Sequence, residues 1–187
     1  MSEPTLRDRF HLIGIGGAGM SVVAELLASR GATVEGSDRE DSAVLDHLRS
    51  VGVRVYVGHD ASHVDPTAVV VVSTAIRESN PELAIARERG QRVIHRSQAL
   101  ALAASGMRFV GVAGAHGKTS TSGMLAIALA ACGLDPSVAV GGVLPQLGTG
   151  AHLGGGDVFV AEADESDGSF LNYSPAIEIV TNVEPDH

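Results

Sequence analysis

Two glycine-rich turns constrain the fold of this chain more than any other feature of its sequence. The first, GIGGAGMS at 14–21, lies at the end of the apolar run FHLIGI, and the second, GAHGKTS at 114–120, follows MRFVGVA. A segment with apolar residues at helical spacing follows each turn, so each forms a strand–turn–helix unit. In such a unit the backbone amides and the helix N-terminus attract an anion. The sequence therefore predicts two anion-binding sites.

Short apolar runs and helical segments alternate along the chain, which predicts an α/β fold with parallel sheets. The almost continuously β-branched run AVVVVSTAI at 68–76 predicts a central strand that is covered on both faces. The alternation restarts after Ser105 and Gly106. We therefore expect a Rossmann-like parallel-sheet domain over 1–105, followed by the start of a P-loop-type α/β ATPase domain over 106–187.

Two stretches of the second domain are less regular. The glycine-rich segment LPQLGTGAHLGGGD at 144–157 predicts a mobile loop between strands. The chain ends at TNVEPDH, just past a predicted strand, where an α/β domain would be expected to continue with a helix. The second domain is therefore expected to be incomplete.

Charge and cysteine content exclude several functional classes. The chain has 22 acidic and 13 basic residues, a net charge of −9, which argues against general binding to nucleic acid or to an anionic membrane. No apolar run approaches the roughly 20 residues of a membrane span, and the polar start MSEPTLRDRF is unlike a secretory signal. Cys132 is the single cysteine, so no internal disulfide is possible, as expected of a cytoplasmic protein.

The first turn has the spacing Gly14-x-Gly16-x-x-Gly19, and Asp38 ends the next predicted strand. This is the pattern of a dinucleotide-binding turn, in which glycines allow close approach of a diphosphate. The pattern alone does not distinguish NAD from a nucleotide-sugar, and a tight turn without a ligand is the alternative. The residues predicted to contact the ligand from this turn are Gly16, Gly17, Ala18, Gly19 and Met20.

The second turn departs from the usual P-loop. The position five residues before Gly117 is Val112 rather than glycine, so the eight-residue motif is incomplete. The shorter motif still supplies amides for phosphate oxygens, with Lys118 to reach the β- and γ-phosphates and the Thr119 hydroxyl for Mg²⁺. A glycine-rich turn without a ligand is the alternative. The predicted ATP site comprises Gly114, Ala115, His116, Gly117, Lys118, Thr119 and Ser120.

Acidic and polar residues follow the last two predicted strands. Ligands of parallel sheets bind at the carboxyl ends of the strands, so Glu162 is predicted to support Mg²⁺ beside the second turn. His187, in TNVEPDH, is either a metal or phosphate ligand or a structural residue. A solvated acidic loop is the alternative for the run that contains Glu162. The other polar residues at these strand ends are Asp164, Glu165, Asp167, Asn182 and Asp186.

In order along the whole chain, HLIGIGGAGMS, GSD, STAI, NPEL, GAHGKTST, EADESDGSF and TNVEPDH resemble the pattern of the Mur ligases. The resemblance implies that the first turn holds the diphosphate of UDP-N-acetylmuramate and the second holds ATP. It also implies that the lactyl carboxylate attacks the γ-phosphate of ATP, and that the amine of L-alanine attacks the resulting acyl phosphate. One departure is Ala115, where the family usually has threonine.

The resemblance also assigns roles by position. It implies that Lys118 is catalytic, that Thr119 and Glu162 support Mg²⁺, and that His187 supports a second metal ion. It places four further residues at the UDP-sugar, namely Ser37, Asp38, Ser73 and Ala75. Since the family has three domains, the chain by itself is expected to be unable to form the amide.

Three other functions stay open at this point. The first is the related recycling ligase, which attaches an intact peptide to the same sugar and has tyrosine where this chain has Ser166. The second is an NAD-dependent oxidoreductase with an incidental Gly-Lys turn. The third is a non-catalytic nucleotide-binding regulator, against which the acidic strand end and His187 argue.

Overall fold

A computed structural model describes residues 3–147, 149–163 and 169–184 of the chain. The chain divides into two compact units, Met1–Ala103 and Ala104–His187, and each contains its own five-stranded sheet. The predicted α/β class with parallel sheets is confirmed, with one antiparallel strand pair in the second unit. In the described ranges no helix combines the length and the apolar character needed to cross a membrane.

The first unit alternates strands and helices on an entirely parallel sheet. Its elements are β1 (Arg9–Ile13), α1 (Ala18–Ser29), β2 (Thr33–Asp38), α2 (Ala43–Ser50), β3 (Arg54–Val57), a 3-10 turn (Ala61–His63), β4 (Val69–Val72), α3 (Pro81–Glu88), β5 (Val93–His95) and α4 (Arg96–Ala103). The strand order is β3-β2-β1-β4-β5, so β1 occupies the centre.

The prediction that 68–76 forms the central strand is wrong. The strand covers only Val69–Val72, and it lies between β1 and β5, one place from the edge. Its first three side chains are nevertheless buried and Val72 is half-buried, and Val70 packs in one cluster with Ile13 and Leu83. A continuous apolar run reports burial on both faces of a strand, and that condition holds one place from the edge as well as at the centre.

Capping residues fix where the helices of the first unit begin. The Ser42 hydroxyl accepts a hydrogen bond from the Leu45 amide at the start of α2. Asn80 caps α3 by accepting from the amides of Glu82 and Leu83, and Pro81 occupies the first helical position. This cap places Glu82 in the first turn of α3, where the side chain is fully buried.

The second unit begins with a strand, a glycine turn and a long helix. Its elements are β6 (Arg108–Ala113), α5 (Lys118–Ala131), β7 (Ser137–Leu144), β8 (Thr149–His152), β9 (Val158–Glu162), a 3-10 turn (Ser169–Asn172) and β10 (Ile177–Val180). The strand order is β10-β6-β9-β7-β8, and only the pair β7–β8 is antiparallel among the described strands. The carboxyl ends of β6, β9 and β10 therefore lie side by side.

The glycine-rich stretch 144–157, predicted as a loop, contains β8. This strand pairs with β7 across an irregularity in register between Ala139 and Leu144. A Cβ atom on Gly150 would lie 2.4 Å from the Gly142 carbonyl oxygen. Glycine is therefore needed here for close approach of two backbones, a role that composition alone does not distinguish from loop flexibility.

Candidate nucleotide-binding sites

The end of β2 holds the first glycine turn in place. The amides of Gly14 and Ile15 donate to the Ser37 carbonyl oxygen at 2.8 and 2.9 Å. The Gly16 amide donates to Oδ2 of Asp38 at 2.8 Å. Helix α1 starts just beyond the turn; the amides of Met20 and Ser21 donate to the Gly17 carbonyl oxygen at 2.9 Å, which leaves the earlier amides of the helix for an anion. The turn therefore presents backbone donors to an anion at the carboxyl end of the sheet.

Arg96 adds a positive charge to this turn. It is the first residue of α4, directly after β5, and a Cβ atom on Gly19 would lie 2.2 Å from its Nη1 atom. The guanidinium group therefore packs on the face of Gly19, at the positive end of α1. No carboxylate of the described residues forms an ion pair with Arg96. A cation in this position is balanced when an anionic ligand binds the turn.

The other predicted UDP-sugar residues differ in how accessible they are. The Met20 side chain is buried in the core and Ser37 is fully buried, so both reach the turn through backbone atoms. Ser73 and Ala75 lie in the loop that follows β4. That loop adjoins the turn, because Cδ1 of Ile76 lies 3.3 Å from the position of a Cβ on Gly14. The backbone positions of Gly17 and Ala18 complete the turn.

A buried ion-pair network lies beneath the carboxyl edge of the first sheet. His11 is fully buried, with Nε2 3.4 Å from a Glu82 oxygen and Nδ1 3.7 Å from a Glu35 oxygen. At these distances the attraction is Coulombic, without well-formed hydrogen bonds. Burial lowers the pKa of His11, but the two carboxylates outweigh it and raise the pKa above its ordinary value. Burial likewise opposes ionisation of Glu35 and Glu82, while His11 holds the pKa of each below its ordinary value.

Glu82 also connects this network to the strand ends. Its Oε2 atom accepts a hydrogen bond from the Ser37 hydroxyl, and Oε1 accepts from the Asp60 amide at 3.3 Å. Nδ1 of His59 lies 2.9 Å from Ser37 Oγ, and Nδ1 of His63 lies 3.2 Å from Glu82 Oε1. One buried carboxylate therefore contacts the end of β2 and the segment after β3.

The second glycine turn connects β6 to α5. Gly117 precedes the helix with a φ of 84°, and Gly114 has a φ of 131°. The ammonium group of Lys118 donates to the Gly114 carbonyl oxygen at 2.7 Å, so the side chain folds back over the turn. Ala115, His116 and Ser120 are exposed. The turn thus has the open backbone and the lysine that phosphate binding requires.

Two residues just after β10, Thr181 and Asn182, hold this turn in place by hydrogen bonds. The Thr181 hydroxyl lies 3.2 Å from the Ala113 carbonyl oxygen and donates to the His116 carbonyl oxygen at 2.6 Å. Asn182 binds both backbone groups of His116, with Oδ1 accepting from the amide at 3.0 Å and Nδ2 donating to the carbonyl oxygen at 3.1 Å. Asn182, which the sequence placed at a strand end, therefore orders the turn.

Glu162 and Thr119 lie against adjacent residues of β7. The Gly141 amide donates to Oε1 of Glu162 at 3.1 Å. A Cβ atom on Gly142 would lie 2.9 Å from Cγ2 of Thr119. A hydroxyl and a carboxylate in this arrangement fit the oxygen ligands that Mg²⁺ prefers. The described residues contain no group of three or more His, Cys, Asp or Glu that would hold a metal ion alone.

Several predicted residues lie outside the described ranges. They are His187, Asp164, Glu165, Asp167 and Asp186. The predicted metal role of His187 therefore stays a prediction.

The sequence did not single out three residues that shape these sites, namely Arg96, Glu82 and Thr181. Arg96 and Thr181 directly follow the strands β5 and β10, so their positions at carboxyl ends of parallel strands are a usable signal. Glu82, in a helix after β4, has no such signal, because a glutamate in the first turn of a helix is usually an exposed residue that complements the helix dipole.

Known proteins resemble this chain over almost its whole length. The family model described as the Mur ligase family, catalytic domain, matches residues 9–108. The UDP-N-acetylmuramate–L-alanine ligase of Renibacterium salmoninarum is 56% identical over 179 residues, which cover 96% of this chain and 38% of that protein. The chain therefore spans less than half the length of this curated relative.

Two solved structures are similar over 96% of this chain. The UDP-N-acetylmuramate–alanine ligase from Thermotoga maritima has a TM-score of 0.79 at 33% identity, with 42% of that chain covered. The UDP-N-acetylmuramate:L-alanyl-γ-D-glutamyl-meso-diaminopimelate ligase from Neisseria meningitides has a TM-score of 0.81 at 31% identity, with 62% of that chain covered. The resemblance predicted from the motifs is confirmed: the chain belongs to the Mur ligase family.

Proposed function

We propose that this chain carries the UDP-sugar and ATP sites of a ligase that joins L-alanine to the lactyl carboxylate of UDP-N-acetylmuramate, a step of peptidoglycan precursor synthesis. The name of the Renibacterium relative, at 56% identity, supports this choice over the recycling ligase. Within the proposal, the first unit binds the UDP-sugar and the second unit binds ATP with Mg²⁺.

The observation that carries this proposal is the difference between the two glycine turns. The first turn has Asp38 and Arg96 beside it, while the second has Lys118, Thr119 and Glu162. Lysine, hydroxyl and carboxylate are the groups that hold a nucleoside triphosphate with its metal ion. The first turn has no such set among the described residues, and it suits a diphosphate that is bound without being cleaved.

In the proposed reaction, an oxygen of the lactyl carboxylate attacks the γ-phosphorus of ATP, and ADP leaves. The amine of L-alanine then attacks the acyl carbon of the acyl phosphate. Inorganic phosphate leaves with the bonding electron pair, and the nitrogen loses a proton as the amide forms. Phosphorylation is needed because a free carboxylate is a poor electrophile.

The residues of the second unit orient the phosphates for this chemistry. Lys118 would exchange the Gly114 carbonyl for a phosphate oxygen, and the amides of the turn would bind the remaining oxygens. Thr119 and Glu162 would hold Mg²⁺, which would supply positive charge to neutralise the transferred phosphoryl group. We propose His187 as a ligand for a second metal ion.

We also propose that the protein acts in the cytoplasm. ATP is the phosphoryl donor of the proposed reaction, and this nucleotide is made and kept there. The exposed, unpaired thiol of Cys132 is typical of a reducing compartment.

The binding proposal is tested by calorimetric titration of the chain with UDP-N-acetylmuramate, Mg·ATP and NADH. We expect binding of the first two and none of NADH. Lys118→Met is the matched variant, and it should lose Mg·ATP while retaining the UDP-sugar. Binding of NADH without binding of the UDP-sugar would instead indicate an oxidoreductase.

The reaction is tested with the full-length enzyme by mass spectrometry. Incubation with UDP-N-acetylmuramate and Mg·ATP should give the amide with L-alanine. Product with an intact tripeptide and none with L-alanine would assign the recycling activity instead.

A further inference from the structure

The Ser37 side chain links a buried carboxylate to the surface of the first site. Ser37 is fully buried, and its hydroxyl proton is donated to Glu82, which is also fully buried. Its carbonyl oxygen accepts from two amides of the glycine turn. Ser37 therefore contacts both the buried Glu82 carboxylate and the turn that would bind the diphosphate.

His59 is the outermost residue of this hydrogen-bonded series, which runs from Glu82 through Ser37. It follows β3, next to the end of β2, and the Gly58 amide anchors this segment by donating to the Asp38 carbonyl at 2.7 Å. Its Nδ1 atom lies 2.9 Å from Ser37 Oγ and 3.4 Å from Oε2 of Glu82. The side chain is 21% exposed, and with Nδ1 turned towards the buried groups, Nε2 lies on the outer side of the ring.

The donor and acceptor roles in these hydrogen bonds determine the tautomer of His59. A serine hydroxyl has one proton, and Ser37 gives it to the Glu82 carboxylate. Ser37 Oγ must then accept from Nδ1–H of His59, so Nε2 of the neutral ring has a free lone pair. No group of the described residues donates to that lone pair. The ligand group that satisfies it is an O–H or N–H donor.

We propose that Glu82 and Ser37 are positioning residues that fix His59, and that Nε2 of His59 accepts a hydrogen bond from the nucleoside end of the bound UDP-sugar. This inference rests on the proposed function of the first unit. In folds of this type the turn after β1 binds the diphosphate and the end of β2 meets the ribose. The end of β3 lies one strand farther out, so His59 faces a ribose hydroxyl or the uracil N3–H.

The decisive variant is His59→Asn. The asparagine amide nitrogen takes the place of Nδ1 and can still donate to Ser37, but asparagine has no acceptor at the position of Nε2. We expect the Kd for UDP-N-acetylmuramate to rise about tenfold, as for the loss of one hydrogen bond, with little change in Tm. The Kd for UDP should rise by the same factor, because the contact is to the nucleoside that both ligands share.

Two further variants separate positioning from general stability. Ser37→Ala should weaken binding of both ligands and lower Tm modestly, since it removes the link without opening a large cavity. His63→Asn is the matched control, because His63 also contacts Glu82 but stacks on Tyr56 and has no bond to Ser37. It should lower Tm slightly and leave both Kd values unchanged.

The outcomes are distinguishable. If the unaltered chain does not bind UDP-N-acetylmuramate, both the proposed function and this inference are wrong. If it binds and His59→Asn binds equally well, only the inference is wrong. Weakening confined to the UDP-sugar, with UDP unaffected, would also overturn the nucleoside contact. Equal weakening by His63→Asn would show that the network acts only through stability.

Discussion

Replacing Gly114 by alanine should damage the second unit far more than the same change at Gly117, although both glycines lie in one turn. Both have positive φ values, 131° at Gly114 and 84° at Gly117. Their surroundings differ. A Cβ on Gly114 would lie 2.1 Å from Oγ1 of Thr181 and 3.0 Å from the Asn182 amide nitrogen, whereas on Gly117 the nearest atoms are 4.0 Å away.

The expected magnitudes follow from these distances. Gly117→Ala carries only the strain of a left-handed conformation, about 1–2 kcal/mol. Gly114→Ala carries backbone strain of about 1–3 kcal/mol and steric overlap of about 1–3 kcal/mol. It also displaces the Thr181 hydroxyl from His116, which removes a hydrogen bond worth about 1 kcal/mol. A unit the size of residues 104–187 has a free energy of unfolding of roughly 4–12 kcal/mol. Gly114→Ala should therefore remove a large part of it.

Tyrosine fluorescence can measure the two costs separately from the first unit. The chain has no tryptophan and two tyrosines, Tyr56 in the first unit and Tyr173 in the second. In a Tyr56→Phe background, urea denaturation followed by Tyr173 reports the second unit alone. Gly114→Ala should lower the midpoint clearly more than Gly117→Ala, and adding Thr181→Ala should recover part of the loss. Equal costs for the two glycine changes would refute the reasoning.

Three other predictions concern charge. Arg96→Met should raise the Kd for UDP-N-acetylmuramate by about tenfold or more while leaving the Kd for Mg·ATP unchanged in calorimetry, since a charge-assisted hydrogen bond is worth about 1.5–3 kcal/mol. Because the pKa of His11 is raised, its stabilising contribution is fully present below pH 6.5 and is lost as the pH rises through the folded pKa. Because the pKa values of Glu35 and Glu82 are lowered, their contributions are present above about pH 4.5 and are lost on acidification. In a Tyr173→Phe background the contribution of this network to the Tm of the first unit should therefore be largest between these limits, and His11→Asn should flatten the alkaline decline. Glu162→Gln in the full-length enzyme should lower turnover strongly at saturating Mg²⁺ with the UDP-sugar Kd unchanged, and an unaltered rate would exclude its role at the metal.

The elements of the fold could be predicted because their signals are local. A run such as FHLI and the capped helix after Asn80 are specified by neighbouring residues. Strand order is not specified in this way. The β-branched run of β4 reports burial on both faces, and two different places in the sheet satisfy that condition. The pairing of β8 was missed because the glycines that allow β7 and β8 to approach are also the residues typical of loops.

The sites were predictable to the same extent. Both glycine turns are contiguous motifs, so the two turns themselves could be predicted from the sequence, while their binding of anions stays a prediction. The groups that complete them come from distant parts of the chain: the Thr181 hydroxyl reaches His116 across 65 residues, and Arg96 belongs to a different helix from Gly19. No local pattern connects such pairs, and only the order of strands brings them together.

The two turns are nevertheless built on one plan. In each, a polar residue at the end of a neighbouring strand fastens the glycine turn: Asp38 of β2 holds the turn after β1, and Thr181 and Asn182, just after β10, hold the turn after β6. These residues differ in charge, since Asp38 is a carboxylate and Thr181 and Asn182 are neutral. In the proposed function, the Asp38 carboxylate beside a diphosphate would be balanced by Arg96, which packs against Gly19 of that turn. The neutral residues Thr181 and Asn182 would suit the second turn, where the proposed triphosphate would bring more negative charge and Lys118 would be needed for the ligand itself.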